Sequence, residues 1–191
     1  MRIETGNLSS RFVAEYEAVP IAFEVKSVLV VPQPATAGFV PLAEVPNNPP
    51  YTKNYDAISD RPGTWATRFD TSTWALCLAR LEGQCVGGAT VAFATPGLDL
   101  LEGRNDLALL WDIRVAPAFR GRGVGRALFE AAEALALVRG CRQLKVETQD
   151  VNVAACRFYA AMGCELQVVR DNAYPECPGE SQFLWYKALA A

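Results

Sequence analysis

The stretch Asp112-Ile-Arg-Val-Ala-Pro-Ala-Phe-Arg-Gly-Arg-Gly-Val-Gly-Arg126 decides the fold of this chain. Its first residues end an apolar, partly β-branched run that starts at Leu107, and this run predicts a buried strand that Pro117 terminates. The basic, glycine-rich residues that follow open into a helical pattern, which Gly140 can end as its C-cap. The apolar residues at helical spacing along its predicted face are Val124, Leu128, Ala131, Leu135 and Val138.

A glycine-rich turn at the start of a helix is suited to binding an anion. Backbone N–H groups without partners and the positive end of the helix dipole both point at the ligand, and pyrophosphate fits such a site well. The alternative is a tight turn with solvated arginines. A P-loop is excluded because no Gly-Lys-Ser/Thr triplet is present, and a dinucleotide fingerprint counted from Gly121 would need glycine at Arg126. The candidate anion-binding residues are Arg120, Gly121, Arg122, Gly123, Val124, Gly125 and Arg126.

The composition indicates one globular domain over residues 1–191, with 51% hydrophobic and 20% charged residues. The net charge of −3 argues against a nucleic-acid binder and for a local anion site. Six cysteines without CxxC spacing, together with the absence of histidine, predict reduced thiols in a cytoplasmic protein and no metal site. No run of about 20 apolar residues predicts a membrane span.

The order of the predicted elements indicates a mixed α/β fold. A strand over 23–31 precedes the proline-rich residues 32–50, which predict an irregular segment with one short strand near Phe39-Val40. A hairpin over 73–93, in which Gly87-Gly88 predicts a bulge or a close backbone approach, leads to the central strand. After the central helix, a strand over 143–148, a helix over 152–162 and strands over 164–170 and 182–189 complete the chain.

The segment Arg120-Gly-Arg-Gly-Val-Gly125 resembles motif A of the GNAT superfamily of N-acetyltransferases, whose pattern is Arg/Gln-x-x-Gly-x-Gly/Ala. The resemblance implies a mostly antiparallel central sheet flanked by helices and a loop that holds the pyrophosphate of acetyl-CoA, with CoA as the product. It also implies that the strand before the loop pairs its backbone with the pantetheine arm, through Ile113, Arg114 and Val115.

The segment from Glu147 to Gly163 resembles motif B of the same superfamily, with Asn followed by Ala-x-x-Phe-Tyr-x-x-x-Gly. The resemblance implies that Asn152 contacts the cofactor arm and that Tyr159 is the general acid for the departing thiolate. A phenol of pKa near 10 matches a thiol leaving group, so the proton transfer would be nearly balanced. The alternative is that Phe158 and Tyr159 are a core aromatic pair.

Acetylation of an amine also needs a base, because an alkylamine is mostly protonated at neutral pH. Asp112 and Glu147 are the candidates, acting directly or through water. The alternatives are that Asp112 anchors a cationic substrate or balances Arg114, and that Glu147 is a half-exposed carboxylate at a strand end. The aromatic residues considered for the acceptor side, each with a core or surface alternative, are Tyr51, Tyr55, Trp65 and Trp74.

A narrower resemblance joins the chain to streptothricin acetyltransferases, through Glu147-Thr-Gln-Asp-x-Asn-x-x-Ala-Cys-Arg-Phe-Tyr and Pro50-Tyr-x-Lys-x-Tyr55. It implies acetyl transfer to a primary amine of a small cationic acceptor by direct attack in a ternary complex, and hence an antibiotic-resistance type of activity. The alternatives are an acetyltransferase for protein N-termini or lysines and a non-catalytic CoA-binding module. Homodimers are common in the superfamily, and no stretch here specifies an interface.

Overall fold

The structure, a computed structural model, describes residues 1–32 and 42–190. The chain divides into two compact units. The first consists of Met1–Ile21, Ser59–Lys145 and Ala188–Ala191, and the second of Ala22–Ile58 and Val146–Lys187. Within the described ranges no helix has both the length and the apolar character needed to cross a membrane.

The fold class is mixed α/β with a mostly antiparallel sheet flanked by helices, as predicted. Every strand and helix predicted for 73–93 and for 107–189 is present within a few residues of its expected bounds. The N-terminal strand β1 and helix α1 were not predicted, because both are short. The elements are β1 Arg2–Gly6, α1 Ser10–Glu17, β2 Phe23–Val30, β3 Ala43–Lys53, α2 Trp65–Arg68, β4 Ala75–Leu81, β5 Gln84–Phe93, β6 Leu107–Val115, α3 Val124–Val138, β7 Gln143–Gln149, α4 Val153–Ala161, β8 Glu165–Arg170 and β9 Gln182–Ala188.

The first unit is built on strands in the order β1-β4-β5-β6, in which each neighbouring pair is antiparallel. A Cβ added at Gly87 would meet Leu128 of α3, and one added at Gly88 would meet Tyr16 of α1. Since successive residues of a strand point to opposite faces, α1 and α3 cover the two faces of β5. This double cover explains why residues 86–93 are all buried and why, apart from Thr90, they are all apolar.

The prediction of a close backbone approach at Gly87-Gly88 is confirmed. A Cβ built on Gly88 would lie 2.5 Å from Tyr16 Cδ2 and 2.8 Å from the Cys77 carbonyl oxygen. Tyr16 is fully buried and cannot move aside. We therefore expect Gly88→Ala to lower the free energy of unfolding by about 2 kcal/mol, measured by urea denaturation.

Gly6→Ala is the matched control for this substitution. Its Cβ would lie 3.7 Å from the Phe12 ring, which is an ordinary van der Waals contact, so we expect little change in stability. Equal stabilities for the two variants would contradict the explanation by steric overlap.

The bounds predicted for the central helix are confirmed, but part of its predicted buried face is wrong. Ala131 and Leu135 are only partly buried and Val138 is 85% exposed. The observed face repeats every four residues and uses alanines, which let the helix lie close to β4, β5 and β6. The pattern of large apolar residues missed these small side chains. The buried residues of α3 are Val124, Leu128, Phe129, Ala132 and Ala136.

An aromatic cluster fills the core of the first unit. Trp65 and Trp74 are 2% and 1% exposed, and the Trp74 ring centroid lies 5.5 Å from that of Trp111. Their indole N–H groups are satisfied inside the unit, by the Asp60 carbonyl and the Thr95 hydroxyl respectively. Of the two interpretations considered for Trp65 and Trp74, the core alternative therefore holds for both.

The second unit contains strands in the order β7-β9-β8, with α4 in contact with β8 and β2. Asn152 is the N-cap of α4, as predicted, and accepts a hydrogen bond from the Ala155 N–H at 3.2 Å. Gly163, with φ of +82°, ends this helix. The first three residues of β7, 143–145, belong to the first unit.

Strand β3 corrects the prediction that residues 32–50 are irregular, because residues 43–50 are part of it. It pairs antiparallel with β2 in a two-stranded sheet, and the register shifts between Val25 and Ser27. Pro49 and Pro50 lie at this shift, where no partner across the sheet requires their N–H groups. The short strand predicted near Phe39-Val40 lies outside the described residues.

Candidate functional site

The glycine-rich loop lies in the first unit and joins β6 to α3. Gly121 and Gly123 have φ of +73° and +82°, a left-handed backbone that favours glycine. A Cβ built on either glycine would meet no atom within 4 Å, so the protein itself leaves space beside the loop. Gly123 is the N-cap of the 15-residue helix α3, whose first turn has no side-chain cap and no acidic residue. The loop thus has the geometry and the dipole of an anion-binding helix start.

The three arginines of the loop differ in their surroundings. Arg120 Nε donates a hydrogen bond to the Val115 carbonyl at 2.9 Å, which ties the loop to the end of β6, and burial lowers the pKa of Arg120. The Arg122 guanidinium lies 5.7 Å from the centroid of the Phe119 ring. Arg126 is exposed, with its Nη1 3.8 Å from Glu130 Oε1 one turn along the helix. Positive charge therefore surrounds the helix start, although Arg120 also has a structural contact.

Asp112 and Arg114 form a buried ion pair on β6. Arg114 Nη2 lies 2.5 Å from Asp112 Oδ2 and Nε lies 3.2 Å from Oδ1, with side chains 1% and 10% exposed. The hydroxyl of Tyr16 donates to the same Oδ1 at 2.6 Å, and the desolvation of this phenol, together with the Asp112 charge, raises the pKa of Tyr16. Both carboxylate oxygens thus have donors, which favours the alternative that Asp112 balances Arg114.

Residues Ile113 to Val115 are the last three of β6 and lead toward the glycine-rich loop. Ile113 is opposite Ala89 and Val115 is opposite Gly87 on β5. The register shifts between Thr90 and Val91, so that Trp111 is an extra residue on β6 just before Asp112. Such a bulge redirects the strand beside the segment expected to pair with the pantetheine arm.

The second unit contains Asn152 and Tyr159. Asn152 caps α4 with its side-chain oxygen, and its Nδ2 donates to the Tyr55 hydroxyl at 3.5 Å. Tyr159 is 5% exposed, and its ring centroid lies 5.4 Å from that of Phe158. Two turns of α4 separate Asn152 from Tyr159, as the motif spacing predicts.

Glu147 lies on β7 and accepts a hydrogen bond from the Tyr174 hydroxyl. Desolvation, followed by the Glu147 charge, raises the pKa of Tyr174 well above its usual value. Desolvation also raises the pKa of Tyr55, with a smaller contribution from the same carboxylate. Two protonated phenols and one carboxylate thus lie together in the second unit.

Sequence reasoning missed Tyr174 and the pair formed by Lys53 and Glu180. Lys53 is 5% exposed, and its Nζ lies 2.5 Å from Glu180 Oε2 and 3.4 Å from Cys177 Sγ. Tyr174 and Glu180 belong to the loop 171–181, which has no periodicity that would assign a role to a residue. The only available signal was Lys53, which lies within the Pro50-Tyr-x-Lys-x-Tyr55 resemblance.

The site residues predicted from sequence thus fall into two groups. The loop residues, Asp112 and the β6 segment 113–115 lie in the first unit, and Glu147, Asn152 and Tyr159 lie in the second. All six cysteines are free thiols.

Comparison with known proteins identifies relatives of this chain. A model described as the acetyltransferase (GNAT) family matches residues 42–164. The chain is 30% identical over 151 residues to the streptothricin acetyltransferase of Streptomyces lavendulae, covering 78% of this chain and 75% of that protein. It is 33% identical over 114 residues to streptothricin acetyltransferase A of Bacillus subtilis (strain 168), covering 59% of this chain and 61% of that protein. The chain therefore spans less than two thirds of the Bacillus subtilis protein.

A solved structure supports the same fold. A Bacillus anthracis str. Ames protein, solved in complex with acetyl coenzyme A, superposes with a TM-score of 0.76. The alignment covers 98% of this chain and 99% of that one, at 20% identity. At that identity the likeness establishes the fold alone.

Proposed function

The chain belongs to the acetyltransferase (GNAT) family, and from that premise we propose that it is an acetyl-CoA-dependent N-acetyltransferase whose acceptor is a primary amine of a small cationic molecule of the streptothricin type. The observation that carries the proposal is the similarity to the Streptomyces lavendulae enzyme over most of the chain. The carboxylate of Glu147 and the nearby phenols of Tyr55 and Tyr174 support it, because a carboxylate and aromatic rings can bind an alkylammonium group.

The loop residues of the first unit fit the pyrophosphate of acetyl-CoA. The uncapped start of α3 offers backbone donors, and Gly121 and Gly123 leave room for phosphate oxygens to approach. We assign the pyrophosphate to residues 120–126, with Arg122 and Arg126 adding charge. The backbone of Ile113, Arg114 and Val115 is assigned to the pantetheine arm, and the Val115 N–H to the thioester carbonyl oxygen as an oxyanion donor.

In the second unit, Asn152 is assigned to the cofactor arm and Tyr159 to the leaving thiolate. Both roles follow from the family motif that these residues match. The burial of Tyr159 supports its role, since a phenol shielded from water is positioned to give its proton to one partner.

Glu147 is the better candidate for the base. Asp112 is held by the Arg114 guanidinium and by the Tyr16 hydroxyl, so a proton arriving there would weaken a buried ion pair. Glu147 accepts a hydrogen bond from a neutral hydroxyl, that of Tyr174, which donates to the carboxylate without neutralising it. We therefore assign proton removal from the acceptor ammonium to Glu147, directly or through water.

The proposed reaction balances as follows. Bound acetyl-CoA supplies an acetyl group as a thioester. The acceptor nitrogen, after losing one proton to Glu147, forms a bond to the carbonyl carbon while the carbon–sulfur bond breaks. The second proton passes from the nitrogen to solvent, and the thiolate takes a proton from Tyr159. Solvent then restores the proton of Tyr159 and takes the proton from Glu147, so that one proton is released in all. The products are an amide and CoA.

The test is thiol release from acetyl-CoA by the purified protein with a panel of amines: streptothricin, aminoglycosides, polyamines and short peptides. We expect turnover with streptothricin. Turnover with peptides alone would instead identify an acetyltransferase for protein N-termini or lysines, and acetyl-CoA binding without turnover on any amine would identify a binding module.

The glycines of the loop allow a direct test of the cofactor assignment. We expect Gly123→Ala to raise the Kd for acetyl-CoA about tenfold or more, because its Cβ would occupy space assigned to the phosphates. The left-handed backbone would also cost about 1 kcal/mol of stability. Isothermal titration calorimetry measures the first effect and urea denaturation the second.

Gly97→Ala is the matched control, since Gly97 has φ of +77° and nothing within 4 Å of its Cβ position. It should show the same loss of stability with an unchanged Kd. Similar Kd values for both variants would argue against the assignment of this loop to the pyrophosphate.

A further inference from the structure

We infer that Tyr174 is a positioning residue for Glu147, whose carboxylate it orients and whose proton affinity it sets by donating a hydrogen bond. The inference rests on the proposed function, in which Glu147 takes the proton of the acceptor amine. It adds a residue from the loop 171–181, a segment for which the family motifs assign no role.

The direction of the hydrogen bond between the two side chains supports this inference. The Tyr174 hydroxyl donates to Glu147 Oε1, because an ionised carboxylate carries no proton and can only accept. The phenol proton is therefore directed at the carboxylate whose ionised form the proposed reaction needs.

The loop that presents Tyr174 is held in place from both sides of that residue. Lys53 on β3 pairs with Glu180, and both partners are largely buried. The Ser181 hydroxyl donates to Asp171 at 3.0 Å across the base of the loop. The Cys177 N–H donates to the Tyr174 carbonyl at 3.0 Å, which closes a turn at the tyrosine itself. Tyr174 is thus on a braced loop, as a positioning residue requires.

Two phenols near Glu147 come from different elements of the second unit. Tyr174 belongs to the loop 171–181, and Tyr55 belongs to the turn Tyr55–Ala57. Around Tyr55 lie Lys53, with its Nζ 5.7 Å from the ring centroid, the carboxylate of Glu180, and the thiol of Cys156 on α4. Lys53 and Glu180 neutralise each other. Tyr174→Phe removes the hydrogen bond to Glu147 and keeps the aromatic ring.

The sign of the effect follows from the donor. A hydrogen bond to an ionised carboxylate stabilises the charged form and holds the pKa of that carboxyl down. Removing the Tyr174 hydroxyl therefore raises the pKa of Glu147. Since the base must be ionised to act, the acid limb of the pH–rate profile should move to higher pH.

The experiment compares the pH dependence of kcat for the wild-type protein and Tyr174→Phe, with the acceptor that wild type turns over best in the amine panel. We expect the acid limb of the variant to move up by about one pH unit. At a pH one unit below the wild-type limb, this lowers kcat by roughly tenfold, while the two proteins converge on the alkaline side. A limb at the wild-type position, with or without a uniform fall in kcat, would overturn the inference.

Two further measurements separate this inference from the proposed function. Titration of the Glu147 carboxyl carbon by NMR in [¹³C]glutamate-labelled protein needs no acceptor, and Glu147→Gln identifies the signal. Replacing Tyr174 with 3-fluorotyrosine, a stronger donor, should lower the Glu147 pKa, and Tyr174→Phe should raise it; a signal that moves in neither variant overturns the inference. If the signal moves as expected but wild type acetylates no amine, the proposed function fails and the hydrogen bond stands.

Glu176→Gln is the matched control, because it removes an exposed carboxylate from the same loop and leaves Tyr174 in place. We expect a wild-type pH profile and an unmoved Glu147 signal. A shift equal to that of Tyr174→Phe would mean that any change in the loop moves the titration, and would overturn the specific role of Tyr174.

Discussion

Tyr159→Phe is expected to lower kcat by about 100-fold while leaving the Kd for acetyl-CoA unchanged. The substitution removes the one hydroxyl that the family motif assigns to the departing thiolate, and it keeps the ring that packs against Phe158. The thiolate would then have to take its proton from water. Steady-state thiol release gives kcat, and calorimetry gives the Kd.

Tyr186→Phe is a suitable control, because it removes the hydroxyl of another buried tyrosine in the same unit. Its kcat should stay within about twofold of wild type, a difference of less than about 0.5 kcal/mol in barrier height. An unchanged kcat for Tyr159→Phe would show that Tyr159 does not donate the proton to the thiolate. Water would then be the source of that proton.

Arg114→Met is expected to lower the free energy of unfolding by about 3 to 5 kcal/mol, the largest stability effect that we expect in this chain. The substitution leaves the Asp112 carboxylate buried without its cation, in contact with the Tyr16 hydroxyl only at Oδ1. The lost hydrogen bond to the Val19 carbonyl adds to the cost. Urea denaturation of both proteins measures the difference.

Asp112→Asn combined with Arg114→Met should recover part of this loss, because the uncompensated charge is then gone. Arg11→Met is the control for an exposed pair, since Arg11 is 86% exposed beside Glu15; its effect should stay within about 0.5 kcal/mol. A loss of less than about 1 kcal/mol for Arg114→Met would mean that water reaches Asp112 and that the pair is not a buried one.

The sequence predicted the elements whose patterns are local. Strand β6, the turn after it and helix α3 follow from apolar periodicity, Pro117 and three glycines within a few residues of one another. The capping of α4 by Asn152 is equally local, since the cap and its partner are three residues apart. The family resemblance rests on these same segments, and for that reason it could be recognised before any contact was known.

The prediction was wrong for a proline-rich segment and for small residues, because the contacts that stabilise them are made with distant parts of the chain and do not appear in the local pattern. Residues 43–50 can form a strand because Pro49 and Pro50 lie at the register shift, where no partner residue requires their N–H groups. The local sequence does not show where a partner strand will lie. Likewise, Ala132 and Ala136 complete the buried face of α3 where large residues were expected, because the sheet approaches the helix closely there.

By itself, therefore, the sequence determined the glycine-rich start of α3, the place of the motif tyrosine on α4 and the order of the elements from β4 onward, since each depends on residues within about one element. Only the tertiary structure decided which carboxylates have partners. Asp112 receives the hydroxyl of Tyr16 from 96 residues away, and Lys53 reaches Glu180 across 127 residues. The role of Tyr174 beside Glu147 was equally invisible, because a loop without periodicity acquires its contacts from the fold. Proton affinity depends on those contacts and on burial, and both exist only once the chain has folded.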